Sequence, residues 1–385
     1  MIKKTLSLLF ILFSFVGFSQ NIIEKELESD ILQSTRNLRI YIPESYERDS
    51  IKNYPLTIVL DEEFLFDTYV GNAILFAKKD KAPEQIVVGI SMEETKQKDI
   101  SFNRNNGQLT TTANYFYEFL RDEVIFYMES NYRTSPFISL VGQGYSANLV
   151  SHYLQENTAF INSFICINPS FSDFIGGELQ SYNLPKFSKE DNTFYFYTNN
   201  SISFSSQKQT KIDQVQKGLT GIEIKNFNVI NDVITTSSSV SAISEAIPRA
   251  MTKIFEVYSA ISKEEFDKNI KDLAPRDAIY YLENKYLEIE FLFGANLGIR
   301  EKDIYAIENI IIEKENGKRL RDFGDMILKL FPTSPLGEYY IGRFYEENKM
   351  FKKALKYYKI GYGKMDPADP NSDAYYENVL RLGGQ

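Results

Sequence analysis

The strongest constraint on the fold of this chain is an apolar run that leads into a glycine-rich turn and then into a helical pattern. The run contains Phe137, Ile138, Leu140 and Val141, and the sequence continues as Gly142-Gln143-Gly144-Tyr145-Ser146-Ala147. A buried strand followed by a sharp turn and a helix is the context in which a G-x-S-x-G motif presents its serine. Here Gly144 occupies the serine position, and Ser146 occupies that of the closing glycine. The segment therefore predicts an α/β fold whose turn carries no nucleophilic side chain at its centre.

The first 19 residues have the pattern of a secretory signal peptide. Lys3 and Lys4 form a basic end, residues 6–18 are apolar, and residues 17–19 form a small-x-small cleavage site before Gln20. The apolar stretch is shorter than the roughly 20 residues that a transmembrane helix needs. We therefore expect a periplasmic or secreted protein with no transmembrane segment once the signal is removed.

Composition limits the partners and cofactors of the chain. Its formal net charge is −9, and removal of the signal takes away two lysines, so nucleic acid is not expected as a partner. A length of 385 residues predicts more than one domain. The single cysteine, Cys166, lies in an apolar run and predicts a buried thiol rather than a disulfide. With one histidine and one cysteine, no metal site or cofactor is expected.

Strand-like and helical patterns alternate between residues 30 and 260, which is typical of an α/β fold with a mainly parallel sheet. Strands are predicted at 38–42, 56–60, 86–90, 137–141, 163–167, 193–197 and 222–230, and helices at 115–128 and 146–154. The polar stretches 201–210 and 235–241 are predicted as loops.

The strand signal ends near residue 262, and amphipathic helical patterns follow at 277–292, 303–314 and 320–331. Residues 335–367 match one tetratricopeptide unit, with signature residues Ile341, Gly342, Tyr345, Ala354, Tyr358 and Pro367. The expected organisation is a signal peptide (1–19), an α/β domain (20–261) and a helical C-terminal region (262–385). Whether that region is a cap on the first domain or a separate peptide-binding arm stays open.

Three segments outside the turn resemble a known family. They are IYIPESY at 40–46, YPLTIVLD at 54–61 and FYEFLRDEVIFYMESNYRT at 116–134. They are similar to segments of the putative esterases of the α/β-hydrolase fold, which include siderophore esterases, feruloyl esterases and S-formylglutathione hydrolases. Some members carry a C-terminal helical repeat. The resemblance covers about residues 30–260 and implies an α/β-hydrolase domain.

The resemblance also implies where a nucleophile and its base should lie, and both positions are substituted. The nucleophile position is Gly144, and Gln143 stands where related enzymes often have histidine. The family histidine precedes an x-S-V sequence after the last strand, and Ser237 occupies its place. The only histidine is His152, about 12 Å along the helix that follows the turn, so we expect a structural role for it.

The remaining catalytic parts are altered as well. The orienting acid is expected after the strand that ends near residue 197, but residues 198–201 read TNNS and no carboxylate follows until Asp213. The Asp-Gly turn of the oxyanion hole is replaced by Asp61-Glu62, which would place a carboxylate where an anion should form unless Glu62 points away. The segment from Gly142 to Ser146, Ser237 and the Asp61-Glu62 turn are thus degenerate catalytic positions.

These substitutions predict an exported, catalytically inactive esterase-like protein that acts in binding or assembly. A protein partner would bind the helical C-terminal region, and a small ligand would occupy the vestigial cleft. The alternative is a hydrolase with a non-standard mechanism in which a carboxylate such as Asp61 serves as base. Convergence of two ionisable side chains at the Gly144 turn would favour that alternative.

Overall fold

The computed structural model describes residues 21–173, 175, 184–190, 192–221, 224–235, 238–294, 297–366 and 368–383. The predicted signal peptide, Ser237 and Pro367 lie outside the described residues. The chain divides into two compact units. The first contains the described residues up to 78 together with 83–254, and the second contains 79–82 together with the described residues from 255 onward.

The first unit is built on a mixed sheet of eight strands among the described residues. The strands are β1 (Ile22–Ser29), β2 (Ser34–Tyr41), β3 (Tyr54–Val59), β4 (Ile86–Ile90), β5 (Thr134–Gln143), β6 (Ser163–Ile167), β7 (Phe194–Ser201) and β8 (Phe227–Ile234). Their order is β1-β2-β4-β3-β5-β6-β7-β8. The pairs β1/β2 and β2/β4 are antiparallel, whereas every pair from β4 to β8 is parallel.

Helices flank this sheet. They are α1 (Glu62–Lys78), α2 (Lys96–Asp99), α3 (Thr111–Glu118), α4 (Ile125–Asn131), α5 (Tyr145–His152), α6 (Ser206–Thr220) and α7 (Ser239–Ile254). A π-helical segment, Phe119–Val124, joins α3 to α4, and short 3₁₀ turns lie at Tyr153–Gln155 and Leu184–Lys189. The predicted α/β class is therefore confirmed.

Continuous apolar runs were good predictors of the central strands. All residues of β3, β4 and β6 are buried, as expected for parallel strands that are covered on both faces. Cys166 lies in β6 and is fully buried, which confirms the predicted environment of its thiol. Burial also raises the pKa of this thiol well above its usual value, so it stays protonated.

Three sequence predictions in the first unit were wrong. Strand β8 begins at Phe227 rather than at 222, and residues 206–210 begin helix α6 rather than continuing a loop. Most residues of this helix are polar, but Ile212, Val215 and Leu219 form a buried stripe. The Ser205 hydroxyl accepts a hydrogen bond from the first turn and caps the helix. Helix α7 likewise begins at Ser239, inside the second predicted loop.

The second unit is helical. Its helices are α8 (Lys263–Glu265), α9 (Pro275–Phe293), α10 (Glu301–Glu315), α11 (Leu320–Leu330), α12 (Leu336–Glu347), α13 (Phe351–Tyr362) and α14 (Ser372–Gly383). A 3₁₀ turn, Glu256–Tyr258, and a π-helical segment, Phe266–Ile270, complete it. No helix in the described parts of the chain is both long and apolar enough to cross a membrane.

Helices α12 and α13 form the pair that the tetratricopeptide pattern predicted. A Cβ added to Gly342 would lie 2.6 Å from the buried ring of Tyr358, so only glycine allows this approach. Ile341, Tyr345 and Ala354 complete a small core. Helix α14, which the sequence analysis did not predict, covers that core with Leu382.

Candidate functional site

The turn between β5 and α5 keeps the backbone geometry of a nucleophile elbow. Gly144 has φ 61° and ψ −118°, a conformation that side chains rarely adopt. Its N–H donates to the carbonyl of Ile167 (3.0 Å), and its carbonyl accepts from the N–H of Ser170 (2.9 Å). Gly142 is needed for packing, because a Cβ there would lie 2.7 Å from the carbonyl carbon of Ser146. No described atom lies within 4 Å of a Cβ added to Gly144, so space remains where a serine side chain would project.

Ser146, the nearest hydroxyl in sequence, is turned away from this space. Its side chain is 0% exposed, and its Oγ donates to Oδ1 of Asp61 at 2.9 Å. The hydroxyl therefore contributes to the interior of the elbow rather than to its surface.

Asp61 is the central group beneath the turn. Its carboxylate is fully buried, and Oδ2 accepts from the backbone N–H of Gln143 at 3.1 Å. The ammonium of Lys96 lies 2.5 Å from Oδ1. The same ammonium lies 5.4 Å from the centre of the Phe64 ring. Two ionisable side chains thus converge at the turn, and both oxygens of Asp61 already accept hydrogen bonds from the protein.

Glu62 does not place its charge over the turn. Its carboxylate accepts from Arg39 at 2.6 Å, and the same guanidinium reaches Asp67 at 2.9 Å. The side chain of Glu62 packs across β4, where a Cβ on Gly89 would lie 2.6 Å from its Cγ. The charge of Glu62 is therefore held by Arg39.

A pair of amides lies where the resemblance would place the orienting acid. Strand β7 extends to Ser201, so residues 198–201 belong to the strand. Asn199 is buried, its Oδ1 accepts from the N–H of Asn168, and its Nδ2 donates to Oδ1 of Asn168, both at 2.7 Å. Asp213 lies on α6 and accepts from Nδ2 of Asn200 at 3.0 Å. Neutral amides thus fill the place of a carboxylate.

His152 is the last residue of α5 and lies in the interior. Its Nδ1 is 2.8 Å from Nε2 of Gln155, and its Nε2 is 3.5 Å from Nδ2 of Asn148. Burial lowers the pKa of His152 to about 4, so the ring is neutral at pH 7. His152 is therefore a buried, neutral side chain, as a structural role would require.

Two lysines at this end of the sheet could not be recognised from the sequence. Lys96 pairs with Asp61, and Lys208, in the first turn of α6, donates to the carbonyl of Asn168 at 2.7 Å. Burial lowers the pKa of Lys208 to about 8. Neither lysine belongs to a motif, and both lie in polar stretches that resemble solvent-exposed loops.

Other features of the surface lie away from the elbow. One depression is lined by Thr220, Lys225 and Asn228 near β8, and another by Arg121 and Glu156. In the described part of the chain, no group of three or more His, Cys, Asp and Glu side chains could hold a metal ion.

Comparisons with known proteins agree with this architecture. Residues 29–169 match the model of the putative esterase family. No curated protein sequence matches the chain.

Solved structures show the same fold. An uncharacterised protein from Capnocytophaga ochracea DSM 7271 is 21% identical with a TM-score of 0.82, and the match covers 94% of this chain and all of that one. An IroE-like serine hydrolase from Shewanella oneidensis is 18% identical (TM-score 0.57; 80% of this chain, 98% of that one). The BES protein from Bacillus cereus is 16% identical (TM-score 0.54; 62% of this chain, 96% of that one). The chain therefore combines an esterase-like α/β-hydrolase fold, similar to the putative esterase family over residues 29–169, with a helical C-terminal region.

Proposed function

We propose that this chain is an exported binding protein on an esterase scaffold and that it does not hydrolyse esters. The observation that carries the proposal is the elbow itself. Its backbone is in the nucleophile conformation, but Gly144 has no side chain, and the hydroxyl of Ser146 is buried against Asp61. A serine mechanism needs an accessible hydroxyl and a base that takes its proton at neutral pH.

The other catalytic positions support the same proposal. The pair Asn199 and Asn168 cannot orient a protonated base as a carboxylate does, because both members are uncharged. His152 is neutral and its ring nitrogens face Gln155 and Asn148 in the interior. An elbow with open space at Gly144 but without these groups is suited to binding without turnover.

The second candidate is a hydrolase in which Asp61 acts as base. The observation that favours it is the contact of Asp61 with both Ser146 and Lys96. Against it, both oxygens of Asp61 already accept hydrogen bonds, one from the Ser146 hydroxyl and one from the N–H of Gln143. Burial of Ser146 also leaves no path for a substrate carbonyl to its Oγ.

Hydrolysis of activated short-chain esters separates the two candidates. We expect the purified wild-type protein to stay at the uncatalysed rate, and Ser146→Ala and Lys96→Met to leave that rate unchanged. Lys98→Met, an exposed lysine on the same short helix, is the matched control. Turnover that is lost in Ser146→Ala and Lys96→Met but kept in Lys98→Met would establish the Asp61 mechanism instead.

We further propose that a protein partner binds the helical region. Tyr376 and Leu380 of α14 are exposed, and the Tyr376 ring lies 5.1 Å from that of Tyr362. Exposed aromatic and aliphatic side chains at one end of a helical array suit an interface.

Removal of residues 367–385 leaves α12 and α13 in place but uncovers the small core that α14 closes with Leu382, so the surface variant Tyr376→Ser/Leu380→Ser is the milder test. A cut before α12 would instead break a close contact, since a Cβ on Gly324 would lie 2.6 Å from the carbonyl of Gly337. A partner captured from the native envelope should be lost on this truncation and on Tyr376→Ser/Leu380→Ser. Tyr305→Ser, an exposed residue of α10, should retain it. Full capture by the truncated chain would contradict the proposal.

A further inference from the structure

Lys208 brings a positive charge next to the Asn168–Asn199 pair, the position at which the resemblance to esterases implies a negatively charged carboxylate. Its ammonium donates to the carbonyl of Asn168, the residue whose side chain pairs with Asn199 at the acid position. It also lies 4.2 Å from the centre of the Phe204 ring. Among the described residues, no carboxylate lies within ion-pair distance of Lys208.

The neighbouring lysines differ in this respect. Lys211, one turn further along α6, pairs with Asp173 at 2.8 Å, and Lys96 pairs with Asp61. Lys208 is half-buried, so its ammonium has lost part of its hydration. Among the described residues, the partners of this charge are a carbonyl dipole and an aromatic ring. A partly desolvated cation without a counter-charge is unfavourable unless an anion completes it. The lowered pKa of Lys208, about 8, has burial as its cause and reflects that cost.

The ammonium also lies beside the elbow. Asn168 follows Ile167, whose carbonyl accepts from the N–H of Gly144, and two residues later Ser170 donates back to the Gly144 carbonyl. The segment that Lys208 contacts is therefore the segment that holds the turn. Tyr145, which follows Gly144, is 55% exposed, and its ring lies 5.8 Å from that of Phe102. A cation, open space at Gly144 and aromatic surface are thus found at the same end of the sheet.

We propose that Lys208 binds the carboxylate of a monoanionic ligand whose apolar body lies against Phe204 and the open space at Gly144. This inference rests on the proposed binding function. A monoanion fits because one uncompensated ammonium is available, and a dianion would leave a net negative charge in a half-buried place. The carboxylate forms a charge-assisted hydrogen bond with the Lys208 ammonium, and the apolar body is removed from water against the rings.

Calorimetric titration with benzoate tests the subsite in the full-length protein at pH 7. Benzamide serves as the neutral isostere, acetate lacks the apolar body, and inorganic phosphate, a mixture of mono- and dianion at this pH, tests an anion of higher charge without an apolar body. We expect saturable benzoate binding that is weakened about tenfold or more by Lys208→Met, since a charge-assisted hydrogen bond is lost. Lys217→Met removes the same charge from an exposed position of α6 and should leave binding unchanged. Benzamide, acetate and phosphate should each bind more weakly than benzoate.

A second variant keeps the test decisive if Lys208→Met changes the fold. Lys208→Arg retains the charge and should retain benzoate binding. In wild type, binding should weaken as the pH rises through about 8, whereas an arginine stays protonated and its binding should not change there. The Lys211–Asp173 ion pair, one turn along α6, is present in wild type and in Lys208→Arg, so it cannot cause a difference between their pH profiles.

Equal benzoate affinity in Lys208→Met and Lys217→Met would overturn the subsite, as would equal binding of benzoate and benzamide, or no saturable benzoate binding by wild type. Ester turnover by wild type would instead overturn the proposed function, and it is measured separately from this titration.

Discussion

Replacement of Asp61 by alanine should loosen the elbow, because Asp61 holds it through several contacts at once. The Ser146 hydroxyl would lose its acceptor while fully buried, which costs about 1–3 kcal/mol. The ion pair with Lys96 adds at most about 1 kcal/mol, because the lysine side chain is 31% exposed. Asp61 also has φ 56°, where alanine costs about 1–2 kcal/mol. Together these contributions give an expected loss of about 2–6 kcal/mol.

Hydrogen exchange of peptides that cover residues 138–150 measures this loss locally, without interference from the second unit. A double-mutant cycle with Ser146→Ala then isolates the contact. Ser146→Ala alone should cost about 1 kcal/mol, because Asp61 keeps Lys96 and Gln143 as donors. The loss of stability in the double variant should be about 1–3 kcal/mol smaller than the sum of the losses in the two single variants, since it contains no orphaned hydroxyl. Strict additivity would refute the inference that Asp61 holds Ser146.

Three further predictions concern single residues. Gly144→Ser should stay folded and lose only about 1–2 kcal/mol of unfolding free energy in denaturant, because the space is open and the cost is that of the positive φ. It should also stay inactive towards esters, and measurable turnover would contradict the inference that no base activates a serine at this position. Gly342→Ala should destabilise the helical unit by about 1–3 kcal/mol in thermal unfolding, since the new Cβ meets the Tyr358 ring. Gly71→Ala is the control and should not destabilise the protein, because no atom lies within 4 Å of a Cβ added there. Because burial lowers the pKa of folded His152 to about 4 against about 6.5 in the unfolded chain, the unfolded state binds the proton first. The free energy of unfolding of wild type should therefore fall by roughly 3 kcal/mol relative to that of His152→Gln between pH 6.5 and pH 4, and the two should have the same pH dependence above pH 7. Parallel pH profiles over the whole range would disagree with the burial of this ring.

The fold could be predicted from the sequence where burial and periodicity act together. Strands β4 and β6 were predicted with their observed bounds, because parallel strands covered on both faces are continuous apolar runs. Strand β1 was missed because it is an exposed edge strand that carries Glu24, Lys25 and Glu26. Helix α6 was missed because its polar face dominates its composition.

The site was predicted only in part. The glycine turn could be recognised because strand, turn and helix are contiguous in sequence. The partners of Asp61 could not, since Lys96 and Ser146 reach it from two different segments of the chain. The same holds for Lys208 and Asn168, which are 40 residues apart. Contacts of this kind depend on the order of the strands in the sheet, which local periodicity does not encode.

Labelling with a serine-directed fluorophosphonate, read out by intact mass and peptide mapping, shows whether the chain has an active serine. We expect no adduct on the native wild-type protein at neutral pH, because Gly144 has no hydroxyl and that of Ser146 is buried against Asp61. Ser146→Ala serves as the matched control and should likewise stay at its own unmodified mass. Stoichiometric labelling of wild type that maps to Ser146 and disappears in Ser146→Ala would contradict the account and show that this chain retains an active serine.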